Sequence, residues 1–384
     1  QADAFGISIE NLKPDFGKAI DRSRAVVATL TKGVAGLLKK NKVDHIQGTA
    51  KFIDTKTIEI GPEGRKVTAD NIIIATGARA RSIPGLEIDK KQVITSREAL
   101  ELRTVPDKVV IVGGGATGAE FAYLWNVYGA EVTIVEMQAN ILPNEDEDIS
   151  RLLQRSFEKQ GIKVLTNAKI DGAKLAKKGV TLEISTNGES STIESNLVLI
   201  AAGVQANTEN LGLEKVGVDL EKGFVKVDSK MSTNIPGIKA IGDVTGIMLL
   251  AHVGMAQGVM AAELIAGQDS PPLQYQFMPR ATYCHPQVAS FGLTEKEAKE
   301  SGYDVKVGKF PFQASSHFSV HISVACTISG LSNRQFFSRW PFFVDFRGLF
   351  FVLVNPIFGG FSGFFASPVG RIFVCVNIVS AWPQ

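Results

Sequence analysis

Cysteine is scarce. The 384 residues hold three thiols, Cys284, Cys326 and Cys375. No two are close enough to share one turn, which excludes a local redox pair and a metal knuckle. Isolated thiols in a reducing compartment are the expectation, cytoplasmic or, in a eukaryote, the mitochondrial matrix. Excess charge of one sign is also missing: 41 basic residues stand against 39 acidic ones, interspersed along the chain. With no basic stripe to neutralise phosphates, nucleic acid is not an expected partner. The opening "QADAFGISIENLKPDF" lacks a basic patch leading into an apolar run, so no secretory signal is read there. It also lacks a Met and reads as an interior start.

What is present is an α/β pattern on a chain long enough for two or three domains. The apolar segments "NIIIATG", "KVVIVGGG", "EVTIVE" and "NLVLIAAG" alternate with helical or mixed-charge stretches. Near-continuous Val/Ile/Leu runs are what strands of a parallel sheet covered on both faces require. Ile20, Val27, Leu30, Val34, Leu37 and Leu38 recur at helical spacing and predict one long helix over Lys18–Lys42.

The composition changes after Ser315. Residues 316–384 contain no Lys and no Glu, five charged side chains, and 13 of the 23 Phe. Gly348 to Gly370 carries no charge, a length that crosses a bilayer as a helix. Asn355, Pro356 and interior glycines weaken a helix there. Three accounts of this tail stand side by side: a membrane anchor, a buried apolar domain, and an aberrant reading-frame or splice product, the last preferred and the membrane disfavoured.

The strongest local signal is "KVVIVGGGATGAEFAYLWNVYGAEVTIVE". Gly113, Gly115 and Gly118 form G-x-G-x-x-G directly after a strand and open a helix. Gly113 permits the tight turn, Gly115 lets backbone N–H groups approach a pyrophosphate, and Gly118 lets the helix lie close on the sheet. The helix amino end then faces the phosphates. Glu136 closes the second strand, where its carboxylate accepts from ribose hydroxyls and repels a 2′-phosphate. NAD(H) is therefore expected over NADP(H). Glu120 has two readings, a solvated acid on the helix's first turn or a neighbour of the nicotinamide.

Further strands end in glycine: Thr76–Gly77 in "IIIATGARA", Gly203 in "VLIAAGVQANT", and Gly242–Asp243 in "IKAIGDVTG". Each alone is a strand and a turn. An acid after a glycine at a strand's carboxyl end can still reach a ligand hydroxyl, because ligands of open α/β sheets collect there.

In this order, "NIIIATG", the fingerprint ending in "TGAE", "LIAAG", "TNIPGIKAIGDV", "LLAHVGMAQG" and "TYCHPQVASFGLTEKEA" resemble the flavoprotein disulfide reductases, within them the dihydrolipoyl dehydrogenase branch, over residues 1–315. Mercuric reductase is an alternative branch. The resemblance implies an α/β fold in which an NAD domain is inserted into an incomplete FAD domain, both Rossmann-like, followed by the start of an α+β dimerisation domain. The implied divisions are 1–106 and 231–278 for FAD, 107–230 for NAD, 279–315 for dimerisation, and 316–384 for the divergent tail. For FAD it implies Ala50, Thr76 and Gly77, with Asp243 on the ribityl chain and Leu249, Leu250, Ala251 and His252 along the flavin. For NAD it implies Gly113, Gly114, Gly115, Ala116, Thr117, Gly118, Glu120, Glu136, Ile170 and Gly203. Implied partners are NAD(H), the lipoyl domain of a 2-oxo acid dehydrogenase complex, and a second copy in a homodimer.

The chain departs from that family in its chemistry-bearing residues. The family's Cys-x4-Cys pair, through which a dithiol delivers electrons, has no counterpart here. Nor does its H-P-T-x-x-E base: His285–Pro286 is followed by Gln287 and Val288, and His317 and His321 lack both Pro and Glu. No catalytic residue is therefore assigned. The reading is a dihydrolipoyl dehydrogenase fragment, inactive as written, or an NAD(H)-binding remnant.

Overall fold

The structure, a computed structural model, describes residues 6–311, 323–329 and 374–380. His317, His321 and the uncharged run from Gly348 to Gly370 lie outside the described residues. Among those described, no helix is long and apolar enough to cross a membrane. The chain divides into two compact units, Gln1–Val112 with Leu124–Thr133 and Ile170–Pro272, and Gly113–Tyr123 with Ile134–Lys169 and Leu273–Gln384.

In the first unit the long helix runs Phe16–Lys40, close to its predicted span. Asp15 caps it by accepting from Lys18 N at 3.0 Å, and Lys39 and Lys40 sit against the negative end of its dipole. Its anchorage is confined to the first turns. Phe16 and Ile20 are buried, Phe16 meeting Tyr128 edge-on at 5.0 Å, and Arg103 forks onto Asp21. The apolar positions further along, Val27, Leu30, Val34 and Leu37, are exposed.

Ile72–Ile74 pairs in parallel with Ile238–Ala240, and Ala78–Ala80 pairs antiparallel with Val204–Ala206. Phe52, Ile72, Ile74, Ala206, Leu213, Val216, Ile238, Ala240 and Val244 close a core over these strands. At about 25 cal/mol per Å² of apolar surface removed from water, such burial is the main driving term. Leu197–Ile200 lies in parallel between Val93–Ile94 and Lys108–Val112, each strand a continuous apolar run as a doubly covered sheet requires. The hairpin Gly179–Thr186 and Glu189–Ser195 turns on Asn187 and Gly188, both at positive φ, the backbone that a two-residue primed turn needs.

In the second unit, helix Glu147–Lys159 buries one face, Ile149, Ser150, Leu153 and Phe157, and presents Arg151 and Glu147 as an exposed ion pair. An antiparallel sheet has the order Arg280–Thr282, Gln287–Ser290, Val374–Ser380, Ser323–Ser329, Val305–Pro311. Its short helix Glu295–Glu300 opens on a reciprocal cap, Thr294 and Glu297 each bonding the other's backbone N–H.

Candidate dinucleotide site

The turn after Lys108–Val112 has the geometry its glycines predict. Gly113 stands at φ +109°, a conformation open to glycine, and its N–H donates to Val135 O at 2.9 Å. Gly114 is held by packing: a Cβ there would lie 2.8 Å from Ile141 Cγ2 and 3.3 Å from Glu136 Cβ. Over Gly115 a Cβ would meet nothing within 4 Å. That side of the turn is open to an incoming group. Helix Ala116–Val127 follows, with Ala116 and Thr117 exposed and Gly118 buried. Its first bond runs from Ala119 N to Gly115 O, so the amides of residues 115–118 are left for an outside acceptor. The helix ends at Val127, with Gly129 at φ +99° and Ala130 N returning to Trp125 O.

Glu136 is buried at 8% exposure, and its carboxylate is committed to the loop. Oε2 accepts from Gly114 N at 2.6 Å and Oε1 from Gln138 N at 2.7 Å. A buried carboxylate without such partners would be costly. Two N–H groups use about half of its acceptor capacity, leaving lone pairs for ligand hydroxyls. Glu136 N and O also bridge Leu165 O and Ala168 N, fixing the strand end.

Glu120 differs from the solvated first-turn reading. It lies on the second turn, half-buried, and its Oε1 accepts from Tyr283 N at 2.8 Å. Burial pushes its carboxyl above the usual range, against that hydrogen bond. Beside it, burial first and the Glu120 charge second push the Cys284 thiol up to about 12. Sγ faces Pro286 O at 3.2 Å. Near pH 8, roughly one such thiol in ten thousand is ionised. In a Cys326→Ser, Cys375→Ser chain, Cys284 should resist a thiol reagent until denaturant is added; fast native labelling would contradict its burial.

The remaining predicted positions belong to the first unit. Ile170 is buried in strand Ala168–Ala176, and Gly203 turns at φ +92°. Ala50 lies exposed opposite Ile60 in the antiparallel strands. Thr76 and Gly77 are tied to Asn207: Thr76 Oγ1 donates to Asn207 O at 2.7 Å, Asn207 Nδ2 to Thr76 O at 2.9 Å, and Asn207 N to Gly77 O at 2.9 Å. Arg79 donates to Asn207 Oδ1 and to both oxygens of Glu209. With Asn210 and Leu211 these residues line a shallow depression. Arg79, Asn207 and Glu209 were not singled out from the sequence, because partners about 130 positions apart leave no local pattern.

Asp243 sits on the 3-10 turn Gly242–Thr245 after strand Ile238–Ala240, half-buried, its carboxylate without a hydrogen bond among the described residues. Helix Ala251–Ile265 lies against this turn. Gly254 would bring a Cβ to 3.3 Å of Gly242 Cα, and the buried Gln257 accepts Gly242 N at 2.6 Å. Leu250 is the helix cap, Leu249 is 42% exposed, and Ala251 and His252 are exposed on the first turn. An acid with unused acceptors beside a glycine turn fits a hydroxylated ligand such as FAD.

The glycine turn, the helix amino end and the acid closing the next strand define a Rossmann-type dinucleotide-binding protein. Residues 4–258 match the pyridine nucleotide-disulphide oxidoreductase family, and residues 278–328 match the dimerisation domain of that family. The chain belongs to this family. It is 44% identical over 317 residues to dihydrolipoyl dehydrogenase of Chlorobaculum tepidum, covering 82% of this chain and 68% of that protein. It is 45% identical over 324 residues to dihydrolipoyl dehydrogenase of Mycobacterium leprae, covering 82% and 69%. In three dimensions it superposes on LpdA from Mycobacterium tuberculosis with a TM-score of 0.80, covering 99% of this chain and 76% of LpdA, a likeness of fold at 24% identity. With the HOCl-induced flavoprotein disulfide reductase RclA of Escherichia coli the TM-score is 0.75 at 26% identity, covering 82% and 73%. FAD and NAD are the cofactors of the dihydrolipoyl dehydrogenases.

Proposed function

We propose that this chain is the nucleotide-binding part of a dihydrolipoyl dehydrogenase and binds NAD(H) on the Gly113–Gly118 turn. The observation that carries the reading is Glu136, buried at the strand end, bonded to Gly114 N, with acceptor capacity left for ribose hydroxyls. The free amides of residues 115–118 receive the pyrophosphate, and the open space over Gly115 lets it approach. Glu120 stands about one helical turn further along and is assigned to the nicotinamide end; Ile170 and Gly203, in the other unit, are carried as NAD positions by the family resemblance alone. The carboxylate of Glu136 disfavours a 2′-phosphate.

Asp243, Thr76, Gly77, Ala50 and Leu249–His252 are assigned to FAD, which when bound passes electrons between a dithiol and NAD. Asp243 would accept from its ribityl hydroxyls, and the helix start at Ala251 would border the ring. The family's dithiol pair and His/Glu base have no matching positions among these 384 residues. The chain by itself therefore binds nucleotide without oxidising dihydrolipoamide, and a lipoyl domain is the partner of the protein that carries the pair. The divisions read from the sequence, with NAD binding in 107–230 flanked by FAD segments, are kept as part of this reading.

Titration of the full chain with NADH and NADPH tests it. NADH is expected to bind in the micromolar to millimolar range, ahead of NADPH, and Glu136→Arg should reverse or erase that order. Equal affinities in the parent chain, or an unchanged order in the variant, would overturn the assignment of Glu136. Lipoamide-dependent NAD+ reduction by the chain alone would overturn the lack of turnover.

A further inference from the structure

The residues after Glu136 form a strap that supports the glycine turn, and the strap is gripped from its far side. Ile141 packs on Gly114, and Leu142 N donates to Gly114 O at 2.8 Å. Leu142 is buried and holds φ +47°, a left-handed conformation that costs a branched side chain about 1–3 kcal/mol and persists only where its surroundings impose it. Those surroundings are identifiable. Leu142 O accepts from Glu145 N at 2.9 Å and from Ser150 Oγ at 3.1 Å.

Three of the next four acids engage the segment 280–309. Glu145 Oε1 lies 3.9 Å from Arg280 Nε, Asp146 Oδ1 accepts from Glu295 N at 2.7 Å, and Asp148 pairs with Lys309. Glu145 has a side chain 8% exposed, and its Oε2 has no hydrogen-bond partner. Four polar groups surround it: Arg280 from one strand, Ser290 from the next, Glu297 from the short helix, and Asp146 from its own loop. Arg280 is steadied by Ser290 Oγ at 3.3 Å and Gly292 O at 3.5 Å, and Glu297 is engaged in the Thr294 cap. Glu147 and Lys299 are taken up by Arg151 and Glu295.

We propose that Glu145, Asp146 and Arg280 are positioning residues for nucleotide binding: the strap Ile141–Asp146 keeps Gly114 in place only while segment 280–309 grips it, so affinity is coupled to that segment and to protonation of Glu145. The proposal rests on the dinucleotide reading above. Burial is the leading influence on Glu145 and raises its carboxyl, Asp146 and Glu297 act in the same direction, and Ser290 and Arg280 oppose them. A carboxyl raised in the gripped state favours that state below the ordinary Glu value of 4.5 and loses the advantage as pH rises through its own higher value. The grip tightens in acid and slackens towards alkaline pH.

NADH titration of the full chain across about pH 5 to 8, with amide exchange at Gly114 and Leu142, tests the coupling. The parent chain should bind more tightly at the acid end, and Glu145→Gln, which stays neutral, should flatten the Glu145-dependent part of the profile. Arg280→Met should weaken NADH about two- to thirtyfold, the range of long-range coupling energies, and speed exchange at both amides, while Arg280→Lys restores most of the loss. Unchanged exchange and affinity in Arg280→Met, or an unaltered profile in Glu145→Gln, overturns the proposal. Should Arg280→Met fail to fold, the Glu145→Gln profile decides alone. If the parent chain binds no NADH, the dinucleotide reading fails, and the exchange rates of the same variants still support or refute the grip.

Discussion

The glycine turn around Gly113–Glu136 and the Thr76–Asn207 depression are both read as nucleotide-binding regions, yet they are built differently. At the turn, the polar atoms that fix Gly114 are buried and paired: Glu136 accepts from Gly114 N, Leu142 N donates to Gly114 O, and Ile141 fills the space beside Gly114. At the depression, Thr76, Arg79, Asn207 and Glu209 bond one another in the open. A buried polar group stripped of its partner bears the full desolvation penalty, whereas an exposed one is rescued by water. The two regions should therefore answer differently to the same kind of substitution.

The largest effect is expected at Gly114. A Gly114→Ala methyl collides with Ile141, a fully buried side chain, and should cost about 1–3 kcal/mol by denaturant unfolding, as overpacked cores do. Gly115→Ala is its control. The methyl enters open space, so stability should hold while NADH affinity falls; equal destabilisation by both would remove the distinction between the turn's two sides. Glu136→Gln comes next. Gly114 N and Gln138 N bond different carboxylate oxygens, so the amide's NH2 must face one of these donors, and a loss of about 1–3 kcal/mol in thermal or denaturant stability is expected from the unsatisfied donor.

Asn207→Ala should cost less, about 0.5–1.5 kcal/mol, because water replaces the lost bonds to Thr76 and Arg79. A loss as large as that of Glu136→Gln would show that the depression is more tightly organised than its exposure implies. Arg79→Met should have the smallest effect. Arg79, the largest influence, holds the Glu209 carboxyl at about 2. A depressed acid contributes stability above its ordinary 4.5 and loses it as pH falls through about 2. In the exposed setting that contribution is at most about 1 kcal/mol. Carboxyl NMR should show Glu209 returning towards 4.5 in Arg79→Met, and an unmoved resonance would assign the shift to other groups.

Much of the turn was legible because its physics is local. Strand, glycines, helix and acid lie within 30 consecutive positions, and each residue type has few other reasons to stand where it does. Asp243 was legible for the same reason, as an acid following a glycine at a strand end. Glu120 was half legible: its membership of the helix followed from the spacing, but it falls on the second turn, and burial beside Tyr283, 163 residues away, leaves it half-buried with a raised carboxyl. The long helix was predicted with nearly its full length, while the exposure of its later apolar positions had no sequence signal.

By itself, then, the sequence determined the α/β class, the dinucleotide turn with its acidic strand end, and the lack of a closely spaced redox pair, because each depends on residues that are neighbours along the chain. Only the tertiary structure decided that Glu136 is bonded to the glycine loop, that Asn207 and Arg79 meet Thr76, and that Glu145 is buried against Arg280. Those arrangements depend on contacts between residues separated by 22 to 135 positions, where loop closure brings groups together that no local periodicity relates.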